Sequence, residues 1–230
     1  MEYDAINAGR TMNWHELQQR IKQCTKCTEE NGKGIRCPDG RVPTREPRNV
    51  KLLFISEAPP LNTHSYFYYE HAPDRLRSRL FGILRAMGYE ISSITDFIDA
   101  GFYLLPTVKC PSASGGRNAA PRGSVIKRCA EQHLKRELEY IRPDSICLLG
   151  KTALLGFLWL RTRWDESELD PMEVGRTVFE AAGKVVKVRI LGKDIMVVPS
   201  YWPTRRHRRF HEISDHIRLA MEGILYERIF

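Results

Sequence analysis

Residues 50–60 read VKLLFISEAPP, from Val50 to Pro60, and this stretch decides the fold. Six nearly uninterrupted apolar positions, broken only by Lys51, suit a short strand buried on both faces, which is the signature of a parallel sheet. Ser56-Glu57-Ala58-Pro59-Pro60 then stops the strand and starts a loop.

Working outward, residues 101–108 (GFYLLPTV) form a second strand candidate whose end Pro106 makes irregular. Residues 144–149 (DSICLL) form a third. Residues 185–190 and 195–198 flank Leu191-Gly192-Lys193-Asp194 and read as a hairpin. Helices fall between. Asn13 and Glu16 make a capping-box-like start for a helix over 14–23. Asp74 caps a helix running through Met87, stopped by Gly88. Residues 124–141 form a long amphipathic helix carrying Cys129 near its start, 150–160 another, and 210–226 a last one. Residues 28–49 and 110–123 are loops by composition, 161–176 is a polar excursion, and 199–209 is a loop. The alternation predicts a single-domain α/β/α sandwich over 1–230, with a central, mostly parallel, four-stranded sheet and an N-terminal segment at about 13–49. Ligands of such sheets bind beyond the carboxyl ends of the strands. Residues 56–60, 107–111 and 200–206 sit there.

The chain has 230 residues, 42% of them hydrophobic, enough for a sizeable core. Lys plus Arg number 36 and Asp plus Glu 28, a formal net charge of +8. The pI near 9.3 makes a polyanionic partner worth testing. No N-terminal apolar stretch reads as a signal peptide, and the longest apolar run, 152–160, is far short of the roughly 20 residues a bilayer demands. The expected setting is cytoplasmic, without a membrane partner, where disulfides are disfavoured.

The cysteines then call for another explanation. Cys24-Thr25-Lys26-Cys27 is a C-x2-C pair, able to hold one metal centre or to act as a redox pair. Cys110 and Cys129 are candidates to complete a four-thiolate shell. Cys37 and Cys110 each precede a proline, a pairing found in iron–sulfur loops. Cys147, inside an apolar strand, reads as a small buried hydrophobe. Cys37 is either a substitute ligand or a free loop thiol.

The order of these pieces resembles the iron–sulfur branch of the uracil-DNA glycosylase superfamily, most closely its family 4. The residues carrying the resemblance are Cys24 and Cys27, Ser56 to Pro60, Val108-Lys109-Cys110, Cys129, Ile141-Arg142-Pro143, Leu149-Gly150 and Ser200-Tyr201-Trp202-Pro203-Thr204. The resemblance implies a 4Fe–4S cluster on Cys24, Cys27, Cys110 and Cys129, with zinc as the alternative. It implies a base pocket built from Ser56, Ala58, Pro59, Pro106 and Tyr201. It also implies removal of a flipped base by hydrolysis of its N-glycosidic bond in base excision repair.

Two departures stand out. Family 4 reads uracil with an Asn where this chain has Pro106, which lacks a side-chain donor or acceptor. The family's late-loop His is Trp202 here, and an indole N–H only donates. Uracil and other deaminated bases are therefore all candidate targets. Glu57 matches the motif carboxylate and is the candidate for activating water, with His64 and Glu70 as weaker substitutes and His207 as a weaker stand-in for the His. Tyr66-Phe67-Tyr68-Tyr69 supplies Phe67 or Tyr69 as a stacker for the flipped base, since every base has a π-face. Trp202 lines that pocket or wedges into the duplex. Lys109, Thr204, Arg205, Arg206 and Arg208 are expected to contact DNA phosphates, with Arg117, Arg122, Lys127 and Arg128 extending the basic face. DNA is the expected partner, single-stranded DNA or RNA being alternatives, and the protein is expected to be a monomer. The competing functional class is a catalytically inactive nucleic-acid-binding protein that retains the iron–sulfur fold.

Overall fold

Residues 52–56 of the opening run form a strand whose every residue is buried, because it pairs in parallel with a neighbour on each side. The structure, a computed structural model, describes residues 13–27, 45–61, 66–114, 117–161, 175, 177–204 and 208–227. In chain order its elements are α1 (Trp14–Lys22), β1 (Leu52–Ser56), α2 (Arg75–Ala86), α3 (Ile94–Asp99), β2 (Phe102–Pro106), the small hairpin β3 (Ala113–Ser114) and β4 (Arg117–Asn118), and α4 (Gly123–Cys129). A π-helical turn over Ala130–Leu134 continues into α5 (Lys135–Ile141), followed by β5 (Ser145–Leu149), α6 (Gly150–Arg161), α7 (Val178–Ala181), β6 (Val186–Ile190), β7 (Lys193–Ser200) and α8 (Glu212–Glu227).

The sheet order is β2-β1-β5-β7-β6. Four strands run parallel, as expected, and β6 adds a fifth, antiparallel to β7. The expectation of four strands is thus corrected to five. The hairpin that supplies the extra strand was legible, and β6 alternates exposed and buried positions as an edge should. Two short helices, α3 and α7, were not foreseen. Each starts with a capping box, Ser93 with Asp96 and Thr177 with Glu180, and each is too short for periodicity to announce it.

The two faces of the sheet bury different sets. Leu53, Ile55, Tyr103, Leu105, Ile146 and Leu148 face one core with α1 and α6. Leu52, Phe54, Phe102, Leu104, Cys147 and Leu149 face the other with α2, α3 and α8. Cys147 is wholly buried, as expected of a structural residue. The aromatic run finishes the edge of the sheet. The Tyr68 hydroxyl donates to the Leu104 carbonyl at 2.9 Å and accepts from the Leu104 N–H at 3.0 Å, so it pairs β2 where no strand follows. Arg77 of α2 fixes this run by donating to the carbonyls of Phe67, Tyr69 and Ala72.

The strand ends meet in register. Ser56 pairs with Pro106, and Leu149 with Ser200. Thr107 donates its hydroxyl to the Ser56 carbonyl at 2.7 Å, and α6 crosses so closely that a Cβ on Gly156 would lie 2.3 Å from Thr107 Cγ2. Gly156→Ala is therefore expected to displace Thr107 and cost about 1–3 kcal/mol through overpacking, read as a lower urea midpoint at unchanged slope.

Candidate active site and cysteine cavity

Glu57 is the first residue beyond β1 and is half-buried. Its carbonyl accepts from the Val108 N–H at 3.0 Å, which fixes the backbone. Its carboxylate accepts from the Thr152 hydroxyl at 2.9 Å, at the start of α6. Burial raises the Glu57 pKa above its usual range, and the Thr152 bond opposes that rise. A carboxylate at the carboxyl edge of a parallel sheet, shifted by burial and held by one side chain, has the attributes of a functional group.

Gly150 opens α6 at φ +84, and a Cβ there would sit 3.4 Å from Trp202 Cβ. The glycine thus serves both the turn and the close approach of Trp202. Residues 150–152 bring Glu57 and Trp202 to the same corner. The late loop is tied on its other side by Arg79 Nη1, which donates to the Pro203 carbonyl at 3.0 Å. The Thr204 N–H turns back to the Trp202 carbonyl at 2.7 Å.

Several expected pocket residues lie elsewhere. Phe67 is 2% exposed and packs on Phe81 and Phe97, inside the core, which corrects its assignment as a stacker. Tyr69 is half-exposed and keeps that possibility. Tyr201 is buried, its hydroxyl receiving a hydrogen bond from Arg209 at 3.1 Å. Pro106 is buried at the end of β2, Ser56 is buried with its hydroxyl on the Leu105 carbonyl, and Pro59 is buried. Ala58 packs with Val108, Val125 and Cys129. Glu70 pairs with Arg45 at the surface, at 3.3 Å. Arg208 is exposed. His64, Arg205, Arg206 and His207 lie outside the described residues.

Lys109 is the clearest correction. It was expected at DNA, but it is 1% exposed. Its ammonium pairs with Glu137 and donates to the Pro106 carbonyl, while Gln18 of α1 donates to the other Glu137 oxygen at 3.3 Å. One buried charge therefore joins the end of β2, helix α5 and helix α1. Sequence pattern could not show this, because a basic residue beside a cysteine reads equally well as surface charge. Thr152, which holds Glu57, was also missed. The available signal was a hydroxyl residue just after a strand ending in Leu149-Gly150.

Cys24, Cys27, Cys110 and Cys129 line one small cavity together with Val108, Lys109, Val125, Gln132 and His133. Cys110 and Cys129 are buried, and Cys24 and Cys27 are half-buried. The Lys109 N–H donates to Cys129 Sγ at 3.3 Å and Arg128 to Cys27 Sγ at 3.5 Å. Burial pushes the Cys129 thiol up to about 12, with Lys109 opposing. Burial and the Lys109 charge bring His133 down to about 4, so its imidazole is neutral at pH 7. Among the described residues, no three His, Cys, Asp or Glu side chains form a group that could hold one metal ion as they stand. Cys129 ends α4 immediately before the π-helical turn, a feature frequent at functional sites. Cys37 lies outside the described residues.

The fold defines an α/β protein whose candidate site residues Glu57 and Trp202 lie beyond the carboxyl ends of β1 and β7. In comparisons with known families, the Uracil DNA glycosylase superfamily matches residues 43–222, and the chain belongs to that superfamily. Its members are generally hydrolytic glycosylases that act on DNA. No curated protein matches the chain. No helix among the described residues is long and apolar enough to cross a membrane.

Removing one partner of a buried ion pair leaves the other uncompensated. Lys109→Met is expected to destabilise by about 3–5 kcal/mol, while the double change Lys109→Met with Glu137→Leu recovers most of the loss. Urea denaturation of the two variants checks this.

Proposed function

We propose that the protein is a DNA glycosylase that everts a deaminated base and hydrolyses its N-glycosidic bond, and that its target is not restricted to uracil. The observation that carries this reading is the Glu57 carboxylate, held by Thr152 at the carboxyl edge of the sheet. In the ionised form it takes a proton from water while the water attacks C1′ of the sugar. The same charge stabilises the oxocarbenium-like sugar as the glycosidic electrons leave with the base. Trp202 cannot carry positive charge toward the departing base, so it serves as an aromatic wall. Pro106 offers no side-chain group, and its carbonyl is already engaged by Lys109. The end of β2 therefore favours selection by shape over reading of a uracil edge.

The four cysteines around one cavity support an iron–sulfur cluster on Cys24, Cys27, Cys110 and Cys129. A bound cluster would supply cationic charge that holds these four cysteines as thiolates. Cys27 and Ala58 both pack on the apolar cluster that holds Cys129, so a group held by the cysteines would tie the N-terminal segment to the loop after β1. The Pro106 substitution favours a second reading, a nucleic-acid-binding protein without catalysis.

Duplexes carrying uracil, hypoxanthine or xanthine, incubated with protein and then cleaved at abasic sites by alkali, separate the two. Strand breaks on at least one duplex are expected. Tight binding without breaks on any establishes the second reading. Glu57→Gln is expected to slow excision by about 10²–10⁴-fold. Because the raised Glu57 must be ionised to act, the rate falls on the acid side at a pH above that of an ordinary glutamate. Thr152→Val removes the opposing bond and moves that acid limb to higher pH. Cys110→Ser is expected to abolish the broad visible absorbance of anaerobically purified protein, and Cys147→Ser to preserve it; metal analysis that finds zinc instead overturns the cluster.

A further inference from the structure

Between α2 and the start of α8 lies a groove of about 910 Å³. Arg75, Ser78 and Arg79 line it from α2, and His211 and Ser214 from the other wall. Arg77 also lines it, while donating to the carbonyls that fix the aromatic run. The lining holds three arginines against one carboxylate, Asp74, and that carboxylate is turned inward, capping α2 by accepting from the Arg77 N–H. Hydrogen bonds to carbonyls do not neutralise a guanidinium, so the groove is electropositive. Its floor is open: a Cβ on Gly82 would meet nothing within 4 Å.

The position is as informative as the charge. Arg79 is bonded to the Pro203 carbonyl of the late loop, so one wall of the groove is tied to that loop. Both α2 and α8 start at the carboxyl edge of the sheet. A groove tied to the late loop through Arg79 and lined by guanidinium, hydroxyl and imidazole groups suits a chain of phosphodiesters.

We propose that this groove is a track for the DNA backbone on one side of the everted nucleotide, taking phosphates of the flanking duplex several residues away from the chemistry. The inference rests on the protein acting on DNA, and it adds a second phosphate-binding surface, outside the late loop, that makes the footprint asymmetric about the lesion.

The test uses the full chain and fluorescently labelled duplexes containing one tetrahydrofuran abasic analogue. One duplex has long flanks on both sides, and two others are truncated, each on one flank. Arg75→Glu and Gly82→Glu both place negative charge in the groove while leaving the hydrogen bonds of Arg77 and Arg79 in place. Each is expected to weaken binding of the long duplex several-fold and to lower its salt slope by about one for every phosphate no longer neutralised. One truncated duplex is expected to bind wild type and variants alike, because the flank that reaches the groove is gone. Equal losses on all three duplexes, or unchanged binding by both variants, overturn the track. If Arg208→Ala weakens binding while the groove variants do not, the DNA reading stands and the groove proposal falls. Failure of the wild type to bind any duplex overturns both.

Discussion

The buried ammonium of Lys109 is the constraint on which the site depends. An isolated charge taken out of water costs several kcal/mol even after relaxation, so it must be met wherever it is placed. Here it is met by Glu137 of α5 and by the Pro106 carbonyl at the end of β2, and Glu137 is met in turn by Gln18 of α1. Three elements far apart in sequence are thereby pinned around the residue that precedes Cys110. The Lys109 N–H points at Cys129. The segment from Pro106 to Cys110 thus joins the end of β2 to the cysteine cavity, and it cannot shift without breaking a buried interaction.

Much of the fold was legible in the sequence because burial on both faces leaves a simple record. The runs at 52–55 and 146–149 carry almost no polar residue, and a strand between two strands and two helix layers has no reason to carry one. Helices α1 and α2 announced themselves through Asn13 with Glu16 and through Asp74, side chains whose caps are formed as expected. Helices α3 and α7 escaped because four to six residues give no period to read. The π-helical turn after Cys129 escaped because its residues, Ala130 to Leu134, are ordinary helix formers, and the change of hydrogen-bond register is a tertiary effect.

The site was legible in its chain positions and less so in its side-chain roles. Glu57 and Trp202 lie just past the ends of β1 and β7 and Cys110 past the end of β2, whereas Cys24 and Cys27 follow α1 and Cys129 ends α4. The aromatic run shows why roles are harder. Four neighbouring rings suggest a stacking surface, yet Phe67 is spent in the core and Tyr68 on the edge of β2, leaving Tyr69 partly open. Lys109 fails in the same way. Composition marks a residue as basic or aromatic, but only the packing around it decides whether it faces solvent.

Pro106 and Trp202 are coupled in what they imply. Pro106 at the end of β2 has no side-chain donor or acceptor, and its carbonyl is committed to Lys109. Trp202, packed on Gly150, offers a flat, wide surface and no group able to bear charge. Under the proposed glycosylase reading, the two residues suit recognition by shape and stacking rather than by hydrogen bonds. A site built to hydrogen-bond its substrate rejects analogues far more strongly than an apolar one does. Under that reading the two residues favour a broader set of bases than uracil alone, with discrimination resting on how readily a damaged pair opens and how firmly the flanking backbone is held.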